Sequence, residues 1–412
     1  MVKMAGVEIS HPHISVQYDW QSILRNTNEK AWVVCSQEGS PNIYSDVICK
    51  KHTQDVKVKT LDVSTNGVHA EILNGNNLKL NYKTTTSHMI SPKASFKDIH
   101  LKAIRSMNIS PGGSLGVSSS EDGALYVWQT EDGKLRRTLD GHVSEVTHCR
   151  FFPSGMVVLS GGVDMRLKIW SVEDGSCPVT LVGHKAAITA TAIIDRGRNV
   201  ISCGRDGVVH LWDCGTASSL CKIEDETKNV INACDLSSHQ WQSDTMVGRS
   251  EKECGTEGKL LLLAKENGTL KALDVHSRDK VFELKFASAL NSCCFINEHR
   301  VVTGQQNGSL SVVDIRNPRK AEYVLKHGKS PINCVKTYYK DRVLVGRSDG
   351  ACSCISLDNP NQDSYKEQNL ITQELIGSNH DPIYDIAFSN DHVYTACRDG
   401  VVRKYCVDVT ST

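Results

Sequence analysis

The chain has 412 residues, with 47 basic side chains against 47 acidic ones. That length suits one large domain plus a small one, and the balanced charge supplies no global field for nucleic acid or an anionic membrane. Apolar runs such as Leu260 to Ala264 fall far short of a membrane span.

The first ten residues include Lys3 and Glu8 and lack the apolar stretch of a secretion signal, so the expected compartment is the cytoplasm or nucleus. Residues 1–93 follow no repeat and are expected to form a small β-rich N-terminal domain. Within it, Asp19 to Arg25 predicts a short helix and Ala31 to Cys35 a strand.

From residue 94 onward a period governs the chain. Trp128, Trp170 and Trp212 are spaced by 42 residues. Six residues before each lies Asp122, Asp164 or Asp206; ten before lies Ser118, Ser160 or Ser202; 28 before lies His100, His142 or His184. Four residue types at four fixed offsets define the blade of a WD-repeat propeller. The set makes physical sense as a buried relay. Aspartate accepts from histidine and backbone, and histidine connects through serine to the indole N–H, so loss of one member strands the others unpaired.

Weaker copies continue. Asn267-Gly268, Asn307-Gly308, Asp349-Gly350 and Asp399-Gly400 repeat the turn, with Leu273, Val313, Ile355 and Tyr405 in the tryptophan position. His327 and His380 precede the last two units. The expectation is an all-β protein: a seven-bladed WD40 β-propeller over residues 94–412, preceded by the N-terminal domain over 1–93. The later blades, lacking parts of the relay, are expected to rely more on apolar packing. Each blade reads as four short strands; in the second these are Glu145 to Phe152, Val157 to Gly161, Leu167 to Ser171 and Val179 to Leu181. Ala94 to Ile99 is expected to complete the last blade beside Val401 to Cys406, and the polar stretch Gln242 to Gly258 reads as a mobile loop in blade four.

The chemistry-bearing residues point away from catalysis. Sixteen cysteines include no Cys-x-x-Cys pair, and Cys149 and Cys334 fall on inward-facing strands, so the thiols are expected to be free and reduced, with no metal. No His-Glu-x-x-His, Walker or Gly-x-Ser-x-Gly pattern occurs, no cofactor is implied, and no enzyme activity is expected. Turns before the first strand and between the second and third strands gather on one rim of a propeller. There the reading places a partner-binding surface containing Glu121, Ser144, Glu145, Ala187, Arg205, Gln306 and Arg398. Glu121 and Glu145 are expected to be neighbours facing basic residues of the partner.

Arg150 to Trp170, Asp195 to Ser202, Leu211 to Gly215, Gly116 to Gly123 and Cys397 to Gly400 resemble the repeats of the proteasomal ATPase-associated factor family. Asp19-Trp20 followed by Ala31-Trp32 fall in the family's order as well. The resemblance spans nearly the whole chain and is weakest over residues 40–90 and 242–258. It implies a chaperone that binds the C-terminal domain of one proteasomal ATPase of the 19S base and regulates assembly of the 26S proteasome, monomeric when free, with neither nucleic acid nor membrane as a partner. A generic WD40 scaffold, such as a ubiquitin-ligase substrate receptor, is the alternative that propeller architecture alone leaves open.

Overall fold

In the computed structural model the chain is almost entirely β-structure. The structure describes residues 7–407, apart from 27, 38, 52–58, 64–66, 74–76, 84, 225–228, 242–250, 327, 340, 358–369 and 391. From residue 94 onward, antiparallel four-stranded units form over 104–138, 146–182, 188–224, 231–285, 290–326, 332–375 and 383–406, the last completed by Ala94–Phe96. These are repeats one to seven. Ala94–Phe96 runs antiparallel to Val402–Cys406, with Phe96 opposite Val402, where the outer strand was expected. In repeat two the strands are Val146–Phe151, Val157–Gly162, Arg166–Ser171 and Val179–Val182, close to the expected four.

The innermost strands pack each against the next in chain order, and Ile383–Ser389 packs back on Ile104–Ile109. Every innermost strand carries a bulged residue second in the strand, Arg105, Thr147, Thr189, Asn232, Asn291, Asn333 and Tyr384, and repeat six has a further one at Tyr338. A bulge re-aims one side chain out of the pleat. Five of these side chains use it to donate to the next strand's backbone: Thr147 to Ile188 O (2.5 Å), Thr189 to Ile231 O (2.6 Å), Asn232 to Leu290 O (2.9 Å), Asn291 to Ile332 O (2.9 Å) and Asn333 to Ile383 O (2.9 Å). Between the last repeat and the first, the Arg105 guanidinium lies 4.5 Å over the Tyr384 ring instead.

A second feature recurs in all seven repeats. The residue after the second strand donates its N–H to the residue before the first strand's opening: Glu121 to Ala103, Val163 to Glu145, Arg205 to Ala187, Glu266 to Val230, Gln306 to Ala289, Ser348 to Pro331 and Arg398 to Pro382, at 2.8–3.1 Å. Two residues further on, the turn needs a left-handed backbone. Gly123, Gly207, Gly268, Gly308, Gly350 and Gly400 supply it at φ from 76° to 88°, and repeat two places Met165 there at φ 63°.

The N-terminal residues form the expected short helix, Trp20–Ile23, and two antiparallel sheet segments. One comprises His13–Val16, Lys30–Ser36, Ile43–Lys51 and Lys59–Val63; the other Val68–Leu73, Asn77–Tyr82 and Thr85–Ile90. Both contribute to one apolar core containing Ile14, Trp20, Val33, Val47, Leu78, Leu80 and Met89. This region is joined to the repeats by sheet continuity. Val7–Ser10 adds in parallel to Tyr323–Lys326 of repeat five, and Thr85–Ile90 adds in parallel to Leu370–Leu375 of repeat six. Two outer edges that would otherwise offer unpaired backbone are thereby covered.

The reading of 242–258 as a mobile loop needs correction in its second half. Residues 242–250 lie outside the described residues. Beyond them, Cys254 N donates to Asn199 Oδ1 at 2.6 Å, Glu253 meets Arg278 at 2.7 Å, and Thr256 is buried. The segment is polar because it satisfies buried polar groups of repeats three and four.

Candidate functional site

In repeats two and three the four-residue set assembles as a continuous relay. His142 Nδ1 lies 2.8 Å from Asp164 Oδ2, His142 Nε2 lies 2.7 Å from Ser160 Oγ, and Trp170 Nε1 donates to Ser160 Oγ at 2.8 Å. His184, Asp206, Ser202 and Trp212 repeat this at 3.0, 2.7 and 2.8 Å. The indole can only donate and the carboxylate can only accept, so the serine accepts from the indole and donates its own O–H to Nε2. The histidine is then neutral with its proton on Nδ1, pointing at the carboxylate. Burial favours this state by lowering the pKa of His142 and His184, with the aspartates pulling the other way. Asp206 is desolvated, yet the N–H of Lys185 and the ring of His184 hold it below the ordinary carboxylate value.

Repeat one departs from the expected set. His100 Nε2 reaches Ser118 Oγ at 2.7 Å and Trp128 Nε1 reaches the same oxygen at 3.0 Å, but Asp122 does not complete the chain. It bonds Ser120 Oγ and the N–H of Ala124, and His100 Nδ1 is buried with no hydrogen-bond partner among the described residues. The cause is one side chain. Repeats two and three have Gly162 and Gly204 at the position of Ser120, and a Cβ on Gly204 would lie 2.8 Å from Asp206 Oδ1 and 2.9 Å from His184 Nδ1. Ser120 therefore stands between aspartate and histidine and takes the carboxylate for itself. Burial, opposed by Asp122, drives His100 down to about 4.

Repeats four to seven, expected to rely more on apolar packing, add a second kind of polar contact. Beside the apolar residues that replace tryptophan, they place other polar groups at the positions of Gly162 and Lys168, next to the relay. Lys265 occupies the Gly162 position of repeat four and Lys271 the Lys168 position, and both meet the buried Glu224, at 3.7 and 2.5 Å. Gln305 and Ser311 bond at 2.7 Å in repeat five. In repeat six, buried Arg347 donates to Gly308 O and Ser330 O, while Ser353 donates to Glu374 at 2.7 Å. Arg403 pairs with Asp399 in repeat seven. His327 lies outside the described residues, and His380 stacks on Trp32 of the N-terminal region, 6.2 Å between ring centroids, instead of joining a relay.

The expected rim residues sit at the recurrent turns. Ser144 and Glu145 lie before the first strand of repeat two; Ala187 accepts from Arg205; Gln306 accepts from Asn291 at 2.8 Å; Arg398 pairs with Asp381 at 2.8 Å. Glu121 and Glu145 are neighbours, as expected, but they converge on Arg105, at 3.6 and 2.7 Å. One guanidinium offsets one of the two carboxylate charges, so the pair is partly answered within the chain. Sequence offsets could not show this, because Arg105 is the bulged residue of repeat one.

Where the bulged strands converge lies a polar cavity of about 140 Å³. Its lining includes Asp385, which the neighbouring Lys336 holds below its ordinary value against desolvation, and Asp235, which burial pushes up. His148 is pushed down to about 3 by burial. None of this assembles a nucleophile with a base. Among the described residues no group of histidines, cysteines and carboxylates could hold a metal, and the fifteen described cysteines are all free. Burial raises the thiol pKa of Cys149 to about 12, so the inner thiols are inert protonated groups. Among the described residues no helix is long and apolar enough to cross a membrane.

The WD domain, G-beta repeat family matches residues 91–129, 133–171 and 175–213, the three repeats that keep tryptophan. Over nearly the whole chain there are closer likenesses. The bovine proteasomal ATPase-associated factor 1 is 41% identical over 399 residues, covering 95% of this chain and 98% of its own length. The human protein of that name is 39% identical over 398 residues with the same coverage. A probable proteasomal ATPase-associated factor 1 of Dictyostelium discoideum is 34% identical over 411 residues, covering 96% of each.

Proposed function

The chain belongs to the proteasomal ATPase-associated factor 1 family, and on that premise we propose that it is a protein-binding assembly chaperone for a proteasomal ATPase. It holds one ATPase of the 19S base through that subunit's C-terminal domain and regulates completion of the 26S particle. The observation that carries this reading is identity of 34–41% across at least 95% of the chain to proteins bearing that name. The platform is a closed seven-bladed propeller over 94–412 with an N-terminal domain over 1–93. Supporting closure are the strand Ala94–Phe96 on the last sheet, the seven matching bulges and the Arg105–Tyr384 contact. The relay residues build the platform, and the rim formed by the recurrent turns receives the partner. The protein works as a monomer, without cofactor, in the cytoplasm or nucleus.

Purification of the full chain from cells, with the six ATPases probed separately, tests the reading. One free ATPase should co-purify, and assembled 26S particles should lack the chain. Recovery with a cullin-type ligase and no ATPase would replace this reading with that of a substrate receptor.

A further inference from the structure

We infer that repeat two carries the anchoring patch for the partner, and that the segment it receives presents an apolar side chain beside carboxylates. This rests on the proposed function and specifies its chemistry.

The repeats supply their own control. At four rim positions repeat two has Val143, Val163, Met165 and Val182; repeat one has Leu101, Glu121, Gly123 and Asp140 there, and repeat three has Lys185, Arg205 and Gly207 at the first three. The fold therefore asks for no apolar group at these places. All four are exposed, Val143 at 84%, Val182 at 68%, Met165 at 41% and Val163 at 39%.

They are also contiguous. Val163 and Met165 flank Asp164, whose carboxylate accepts the Val143 N–H at 3.4 Å, and Val182 lies opposite Arg166 in the strand ladder. Met165 bears a further cost. It holds φ 63° at the turn position where the other six repeats have glycine. A side chain kept in a left-handed conformation and exposed to water serves neither the backbone nor the core.

Charge sets the occupant. Toward repeat three the patch is bordered by Arg166, Lys185 and Arg205, all exposed and without an ion-pair partner among the described residues. Toward repeat one, Glu121 and Glu145 share the single guanidinium of Arg105. On the repeat-three side the unpaired groups are cations, so an apolar anchor with acidic side chains on that side is the complement.

The test uses the full-length chain titrated against each of the six proteasomal ATPases separately, at low and moderate salt. Met165→Gly should raise the melting temperature by roughly 1–2 °C, by relieving the turn, while weakening ATPase binding about tenfold. Opposite signs in fold and binding are what a merely structural methionine cannot give. Arg166→Glu with Lys185→Glu should weaken binding about tenfold at low salt and less at moderate salt. An ATPase that binds the wild-type chain and both variants equally well overturns the patch while leaving the proposed function intact. If none of the six binds the wild-type chain, the proposed function fails and the inference falls with it.

Discussion

Repeats one to three and repeats four to seven occupy the same scaffold with different chemistry. The first group ties its strands through histidine, serine and tryptophan, joined by aspartate in repeats two and three; the second puts Lys265, Gln305, Arg347 and Cys397 where Gly162 and Gly204 leave room for the relay. Backbone geometry is indifferent to the exchange. All seven repeats keep the bulge, the rim hydrogen bond and the left-handed turn. The scaffold accepts several sets of buried polar groups, and the residues that pair with one another are free to change.

The largest effects should come from breaking one solution in each group. Trp170→Ala leaves a cavity and an unpaired Ser160, and should cost about 3–5 kcal/mol in denaturant unfolding. Glu224→Ala strands two buried lysines and should cost a similar amount, about 3–5 kcal/mol. The two sites part company on joint replacement. Methionine at 224, 265 and 271 together should recover most of that loss, because a buried ion cluster can yield to apolar packing. A triple variant no more stable than Glu224→Ala would show that repeat four needs its charges.

Acid separates the groups next. His100 is held at about 4 against an ordinary 6.5, so the unfolded chain takes up a proton between those values while the folded chain resists it. Stability is full above 6.5 and falls toward pH 4, by up to about 3 kcal/mol from this group. His148, at about 3, extends the loss to lower pH. His100→Gln should flatten the slope of unfolding free energy between pH 6.5 and 4; an unaltered slope would remove His100 from the cause.

Finer changes sharpen the contrast inside the first group. Gly162→Ser pushes a Cβ to 2.8 Å from Glu145 O and should cost about 1–3 kcal/mol. Asp164→Ala should cost more than Asp122→Ala, by about 1–2 kcal/mol, because only Asp164 bonds its histidine. Smallest in energy is Ser120→Gly. It should free Asp122 to reach His100, read by NMR titration as a rise of the His100 pKa. A pKa that stays put would mean that Ser120 is not the obstruction.

Much of this was legible beforehand. The 42-residue period placed the strands of repeat two within a residue or two, because a buried relay fixes residue types at fixed offsets. Two relays followed the offsets completely. The third failed at Asp122 because the decisive residue, Ser120, belongs to no motif and acts through the volume of its side chain. The rim residues were located by turn position, but the ion pairs they make could not be read without knowing where Arg105 points.

What the sequence determined by itself was the periodic part: the number of repeats, their turns, the inward thiols and the family resemblance. These depend on local spacing, which a chain carries into any structure. Tertiary structure alone decided the pairings between distant segments. Glu224 with Lys265 and Lys271, Asn199 with Cys254, Thr85–Ile90 beside Leu370–Leu375, and two glutamates on one arginine all join residues that no period relates. Such contacts arise when separate surfaces meet and each buried polar group takes the partner within reach, so their identity is set by packing and leaves no repeat to read.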